Sequence, residues 1–426
     1  MKTLRYGSRG TDVELLQLAL IRGGWLAGPI DGSFGAETQN AVRRFQAAYG
    51  LAADGIVGPL TWDALDPYLT GYFSVTIRRG DTFLRLARRY DTTTAAIAAA
   101  NPGMDPQNLP VGEELIIPYG FDLVPVNVHY TPDLVDFILD GLAVRYPFAH
   151  PQKYGNSVTG TPLRLIEFGT GETEVLINAS HHANEWITTP LVLKFAETVL
   201  KAYVNGGTVA GRSARELLGR VKLYIAPLVN PDGVALVNGV FDKRMREYRD
   251  ALAIARRWPL IPFPEGWKAN IAGTDPNLNY PADWEEAKRI KFAQGFTSPA
   301  PRDYVGEAPL SAPESRALYE LTLAHDFRLT VSYHTQGEEI YWKYKDIEPE
   351  RGREIAEAMA ESSGYALAEV PEESANAGFR DWFILNYRLP GYTVEAGKGT
   401  NPLPLSELPK MIDENIPLMV TALELS

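Results

Sequence analysis

The sequence predicts an α/β chain built in three parts, and three patterns predict it. From about Val128 onward, helical stretches alternate with short apolar strands, as in helices packed on a central sheet. Ahead of that stretch lie a segment with helical periodicity alone and a segment with a strand-helix-helix-strand outline. The length of 426 residues agrees, because it exceeds what one ordinary core accommodates.

Composition narrows the function. Apolar residues are 45% and charged residues 22% of the chain, the balance of a folded globular protein. The formal charge of -12 argues against nucleic acid as a partner, since neutralising phosphate needs a basic surface. No stretch reaches the length of a membrane span. With no cysteine, any metal must be held by histidine and carboxylate. The residues Met1–Gly7 carry no apolar core of signal-peptide length, so the compartment stays open: cell wall, extracellular or spore-associated.

Residues 1–70 contain a short repeat, Asp31-Gly32-Ser33-Phe34-Gly35 with Thr38 and Asp54-Gly55-Ile56-Val57-Gly58 with Thr61. Each copy reads as a Gly-containing turn feeding a helix. Thr11 with Glu14 has the spacing of a capping box ahead of Val13, Leu16 and Leu20. Val42 with Phe45, and Leu60 with Trp62 and Leu65, supply further apolar faces, giving a small three-helix bundle. With Ala41-Val42-Arg43-Arg44-Phe45-Gln46, this segment resembles the helical peptidoglycan-binding domain of wall hydrolases.

Residues 73–119 begin with the alternating Ser74-Val75-Thr76-Ile77 and end with Leu115-Ile116-Ile117-Pro118. Between them Asp81 can cap a helix bearing Phe83, Leu86, Ala87 and Tyr90 on one face, and Thr93 starts a second. Arg79-Gly80-Asp81-Thr82, Asn101-Pro102 and Leu109-Pro110-Val111-Gly112 resemble a LysM domain, a βααβ module. The resemblance implies binding of N-acetylglucosamine chains by the loops holding Asp81, Thr82 and Asn101. The alternative is that Asp81 and Asn101 only cap and turn.

The third part, residues 125–426, has four apolar strands followed by polar residues. Glu174–Ala179 leads to His181-His182-Ala183-Asn184-Glu185, and Val221–Val229 to Asn230-Pro231-Asp232-Gly233; Phe327–Tyr333 leads to His334, and Gly391–Val394 to Glu395. Ligands of open α/β sheets bind at the carboxyl ends of strands, so these clusters are expected to converge. A hydrolytic zinc centre needs three nitrogen or oxygen ligands and an open position. His182 and Glu185 on one turn and His334 on another strand end fit that need, although His-x-x-Glu alone is a weak signal.

The surrounding strings decide more. His182-Ala183-Asn184-Glu185-Trp186, Asn230-Pro231-Asp232-Gly233, Asp275-Pro276-Asn277, Tyr304-Val305-Gly306, Ser332-Tyr333-His334 and Thr393-Val394-Glu395 occur in the order of the zinc metallocarboxypeptidases. The chain resembles that family from Tyr130 to its end. Gly266-Trp267-Lys268-Ala269-Asn270 and Pro281-Ala282-Asp283-Trp284-Glu285 are most similar to its bacterial γ-D-glutamyl-meso-diaminopimelate peptidases. The resemblance implies a carboxypeptidase-like α/β/α sandwich with a mixed central sheet. It also implies one Zn2+ per chain on His182, Glu185 and His334, with Glu395 as general base and Lys268 beside the oxyanion. The expected partners are peptidoglycan glycan chains and diaminopimelate-containing muropeptides.

Two departures bear on specificity. Digestive relatives clamp a C-terminal carboxylate with Asn-Arg, but here Asn277 precedes Leu278, which argues against strict carboxypeptidase action. Arg380, by count back from Glu395, falls at the base of the side-chain pocket; it either meets a carboxylate of the substrate or pairs with Asp381. The position of a tyrosine on the relatives' mobile loop is taken by Glu373, with no role assigned. His181 is expected beside the metal rather than on it, and Asp232 to shape its turn. A broader carboxypeptidase and a catalytically silent wall-binding protein are the competing readings.

Overall fold

The computed structural model describes residues 1–371 and 374–426, so Glu373 lies outside the described residues. The chain divides into two units, residues 1–129 with 133–150 and residues 130–132 with 151–426.

In the first unit the repeat has a physical basis that the turns alone did not reveal. Helices α1 (Thr11–Arg22) and α2 (Ala36–Ala48) each bury one glutamine, and each glutamine clasps an Asp-Gly turn. Gln17 Nε2 donates to Asp31 Oδ1 at 2.8 Å while its Oε1 accepts the Gly32 N–H at 2.9 Å. Gln46 repeats the pattern on Asp54 Oδ1 at 3.1 Å and the Gly55 N–H at 2.9 Å. A buried amide is tolerated because every polar group finds a partner. Val13, Leu16, Val42, Phe45 and Leu65 close the core with α3 (Pro59–Thr70).

Two expectations fail here. The cap of α1 is Gly10, with no side-chain cap, and Glu14 instead accepts the His129 backbone N–H at 2.8 Å. Thr11 already lies inside the helix, one residue too late to cap it. Leu60 is 71% exposed, because Pro59 starts α3 and turns its second residue outward.

Strand β1 (Tyr72–Thr76) pairs antiparallel with β2 (Glu114–Pro118) around α4 (Phe83–Arg89) and α5 (Thr94–Ala100), over a core of Ile77, Phe83, Leu86, Ile97, Leu115 and Ile117. Thr82, not Asp81, caps α4, accepting the Arg85 N–H at 3.2 Å; Asp81 accepts the Arg78 N–H at 2.9 Å and closes the preceding turn. Helix α6 (Pro132–Arg145) also belongs to this unit, past the boundary expected at 125. Gly141 permits it: a Cβ there would lie 2.1 Å from the Thr70 carbonyl oxygen.

The second unit is built on an eight-stranded mixed sheet. It comprises β3 (His150–Asn156), β4 (Pro162–Phe168), β5 (Thr173–Ala179), β8 (Val221–Ala226), β9 (Phe327–His334), β10 (Glu339–Tyr341), β11 (Ala366–Leu367) and β12 (Gly391–Glu395). The small hairpin β6 (Thr208–Val209) and β7 (Arg212–Ser213) stands apart. The strand order is β11-β10-β12-β9-β5-β8-β4-β3, in which β12, β9, β5 and β8 run parallel and both β10 and β4 run antiparallel to their inner neighbours. The four parallel strands are the four apolar runs of the sequence, buried along most of their length.

Helices cover the sheet. α7 (Thr188–Asn205) and α13 (Gly352–Ser363) pack on α15 (Leu408–Leu425), while α8 (Ala214–Arg220), α9 (Pro231–Val237), α10 (Arg246–Ala255) and α11 (Trp284–Ala293) fill the crossovers. Leu318 of α12 (Pro313–Leu323) and Phe379 and Trp382 of α14 (Phe379–Tyr387) meet Leu176 and Tyr224 of the sheet in one apolar core. No described helix is long and apolar enough to cross a membrane. Because the central strands are parallel, their carboxyl ends share one edge. On that edge His334 and Glu395 are direct partners across β9 and β12.

Candidate metal centre and active site

At the end of β5 the chain turns sharply at Ser180, whose φ of 55° is held by its amide donating to the Thr188 hydroxyl at 3.0 Å. A single turn, Ala183–Glu185, follows, and it places Glu185 back beside His182. His182 Nδ1 lies 3.0 Å from Glu185 Oε1, His334 Nδ1 lies 2.9 Å from Glu185 Oε2, and the two Nδ1 atoms are 3.1 Å apart. All three residues are buried. The expected ligand set is thus brought to one point.

These residues fit a zinc ion on their own geometry. Donor atoms held about 2.0–2.1 Å from a tetrahedral centre stand about 3.3 Å apart, close to the spacing here. The pocket also favours positive charge. Burial alone would strip His182 of its proton, yet Glu185 and Asp275 outweigh it and hold the pKa up to about 9. Glu185 stays well below its ordinary range despite burial, because His182 and Lys268 face it. His334 is shifted down, chiefly by burial.

Asp275 completes the support, and the sequence reading assigned it no role. Its Oδ1 lies 3.1 Å from His182 Nε2, which directs the other ring nitrogen at the ligand point. Its Oδ2 accepts the Asp303 N–H at 3.3 Å. The need of a ligating histidine for an acceptor on its far nitrogen was the signal that could have found it. His181 sits outside the ligand set: its ring stacks on His334 with centroids 5.6 Å apart, and Nε2 meets Tyr280 Oη at 3.1 Å.

Glu395, Lys268, Asn277 and Arg380 all line the same cleft, about 660 Å³ in volume. Glu395 is partly open to that cleft. Burial first and the nearby charge of Glu185 second push its carboxyl up to about 8, against the pull of Lys268. A dication at the ligand point would draw it back down. Lys268 Nζ lies 3.1 Å from Glu185 Oε1, and its backbone oxygen accepts the Ala183 N–H at 3.0 Å. Asn277 Nδ2 is 3.4 Å from His334 Nε2, while its Oδ1 accepts the Phe379 N–H at 3.1 Å at the start of α14.

The neighbouring Leu278 is buried among Trp284, Ala287, Val305 and Ala377. Of its two alternatives Arg380 shows the pairing with Asp381, through Nε at 3.1 Å, and it lies over the Tyr341 ring at 5.7 Å while lining the cleft.

Elsewhere the structure redistributes expected roles. Asn101 is buried, donating to Ile97 O and Ile116 O and accepting the Ile116 N–H, so both of its amide protons and one lone pair of its oxygen are already engaged within the module. Thr82 and Asp81 remain in exposed loops with their turn-closing bonds. Asn230 caps the helix after β8, and Asp232 instead anchors the loop at Thr159 and Thr161.

Comparison with known proteins agrees with this geometry. Residues 136–417 match the zinc carboxypeptidase family, residues 9–65 a peptidoglycan binding domain and residues 75–118 the LysM domain. The chain is 41% identical over 287 residues to gamma-D-glutamyl-L-diamino acid endopeptidase 1 of Lysinibacillus sphaericus, covering 67% of this chain and 69% of that protein. It is 42% identical over 266 residues to the uncharacterized protein YqgT of Bacillus subtilis, covering 62% and 68%. Among solved structures, bovine thrombin-activatable fibrinolysis inhibitor, bound to a tick carboxypeptidase inhibitor, shares the fold with a TM-score of 0.53. That likeness holds at 19% identity and covers 70% of this chain and 96% of that one.

Proposed function

From the premise that the chain belongs to the zinc carboxypeptidase family, we propose that it hydrolyses the γ-D-glutamyl-meso-diaminopimelate bond of peptidoglycan stem peptides. The observation that carries this reading is a single cleft lined by His182, His334, Glu395 and the cation Arg380, with Glu185 buried beside the two histidines. The related endopeptidase, named for a γ-D-glutamyl-diamino acid bond, supports it. The N-terminal peptidoglycan-binding and LysM modules support a wall substrate, since tethering raises local concentration without adding contacts at the site.

In this reading His182, Glu185 and His334 hold one zinc ion. Zinc, when bound, polarises the scissile carbonyl and brings the pKa of its water near neutrality. Glu395 takes the proton of the attacking water and delivers it to the departing diaminopimelyl amine. Lys268 offers its ammonium to the negative charge that grows on the acyl oxygen. Arg380 keeps donors free beyond its bond to Asp381 and receives a diaminopimelyl carboxylate. A broad carboxypeptidase would want a cation beside Asn277, and the buried Leu278 provides none.

Incubating the purified protein with L-Ala-γ-D-Glu-meso-diaminopimelate and identifying products by mass spectrometry tests the proposal. The expected products are L-Ala-D-Glu and free diaminopimelate, with turnover abolished by chelator and restored by zinc. Faster hydrolysis of ordinary C-terminal reporter peptides than of the stem peptide would overturn it.

A further inference from the structure

Arg302 carries a charge that neither the ligand set nor the general base requires, and it lines the same cleft. The loop that bears it is fastened to the catalytic segment: the Pro301 carbonyl accepts the N–H of Lys268 at 2.8 Å and of Ala269 at 2.9 Å. Asp303 holds the guanidinium from behind, its Oδ2 accepting from Arg302 Nε at 2.6 Å. Asp303 is itself fixed by buried Lys291 at 2.7 Å and by its N–H on Asp275. Among the described residues, Arg302 Nη1 and Nη2 have no partner. The arginine is therefore oriented at one edge and open at the other, the arrangement that suits a bidentate carboxylate.

Its position selects which carboxylate. Arg302 lies on the flank of the cleft formed by Lys268 and Asp275, whereas Arg380 lies on the flank formed by Tyr341 and Asp381. Lys268 marks the acyl side, where the oxyanion forms. In a γ-linked glutamyl residue the free α-carboxylate is four bonds from the scissile carbonyl, about 5 Å along an extended chain. An ordinary α-linked residue carries amide backbone on that side and no such charge. We infer that Arg302 is a specificity-determining residue that binds the α-carboxylate of the γ-D-glutamyl group; this rests on the function proposed above.

The test compares L-Ala-γ-D-Glu-meso-diaminopimelate with the same tripeptide amidated at the glutamyl α-carboxylate. For the wild-type enzyme kcat/KM should favour the acid by about 10-fold or more, the range of a charge-assisted pair against a neutral one. Arg302→Gln should bring the two substrates to within about twofold, chiefly by loss on the acid, and Arg302→Lys should fall between. Zinc content and far-ultraviolet circular dichroism check the fold of each variant.

A preference that survives Arg302→Gln, or an equal fall on both substrates, overturns the inference, because a merely structural or oxyanion role moves both alike. Wild-type enzyme that cleaves acid and amide equally sinks this inference and leaves the bond specificity standing. Wild-type enzyme that cleaves neither sinks both.

Discussion

Asp275→Asn exchanges one oxygen for an amide nitrogen and in doing so creates a conflict that can be counted. Asp275 Oδ1 faces His182 Nε2 and the Asn277 N–H, both at 3.1 Å, and Oδ2 faces the Asp303 N–H at 3.3 Å. Asparagine can satisfy one side with its oxygen, but its amide nitrogen then opposes a donor on the other. The buried negative charge that helps keep His182 electron-rich is also lost. A hydrogen bond to a charged group contributes about 1.5–3 kcal/mol against about 1 for a neutral one, so the variant should lose about 0.5–2 kcal/mol of zinc binding. That corresponds to a zinc dissociation constant about 2- to 30-fold weaker, within reach of what outer-shell carboxylates are known to contribute. Competition of the apo-protein against a chromophoric chelator at fixed pH measures it, with circular dichroism to confirm folding. A folded variant that binds zinc as tightly as the wild type would refute the argument that Asp275 directs His182 at the metal.

Three further outcomes follow from the same structure. Glu395→Gln should lower kcat/KM on the stem tripeptide by about 10²–10⁴-fold while leaving bound zinc stoichiometric, as measured by atomic absorption. Asn101→Ala strips three hydrogen bonds, two to Ile116 of β2 and one to Ile97 of α5; it should destabilise that module by about 2–3 kcal/mol, seen as faster hydrogen exchange at the Ile116 amide, with turnover of soluble tripeptide unchanged. Glu314 is held up to about 7 by burial. Between its unfolded value of 4.5 and 7 the native state keeps a proton the unfolded chain has lost, so its contribution is full below 4.5 and fades as pH rises to 7. Glu314→Gln should flatten that decline, by at most about 1.4 kcal/mol per pH unit, in urea titrations run across the window.

The central strands were legible because a strand buried on both faces writes itself as an unbroken apolar run, and three of the four runs here lead to His182, His334 or Glu395, while the fourth leads to the structural Asn230 and Asp232. The ligands could be read because polar residues directly after such runs have few structural reasons to be there. Asp275 and Arg302 sit in irregular loops, where no periodicity separates a functional side chain from a solvated one. The misplaced caps at Thr11 and Asp81 were errors of one residue, which capping statistics cannot resolve without the backbone. Of the two readings open for Asn101 the structure shows the structural one: the turn residues that favour a ligand-binding loop are also those that tie a loop to its own strand. Placing α6 with the first unit depended on Gly141 meeting Thr70, a contact across 71 positions that no local pattern encodes.

Facing each other on one rung of the parallel ladder, His334 and Glu395 have a separation dictated by inter-strand spacing, about 4.8 Å, rather than by any loop. Side-chain changes at Arg302 and Arg380 therefore leave the spacing between His334 and Glu395 unaltered. Such a chassis lets selection explore new wall chemistries at the rim while the reactive centre stays in register.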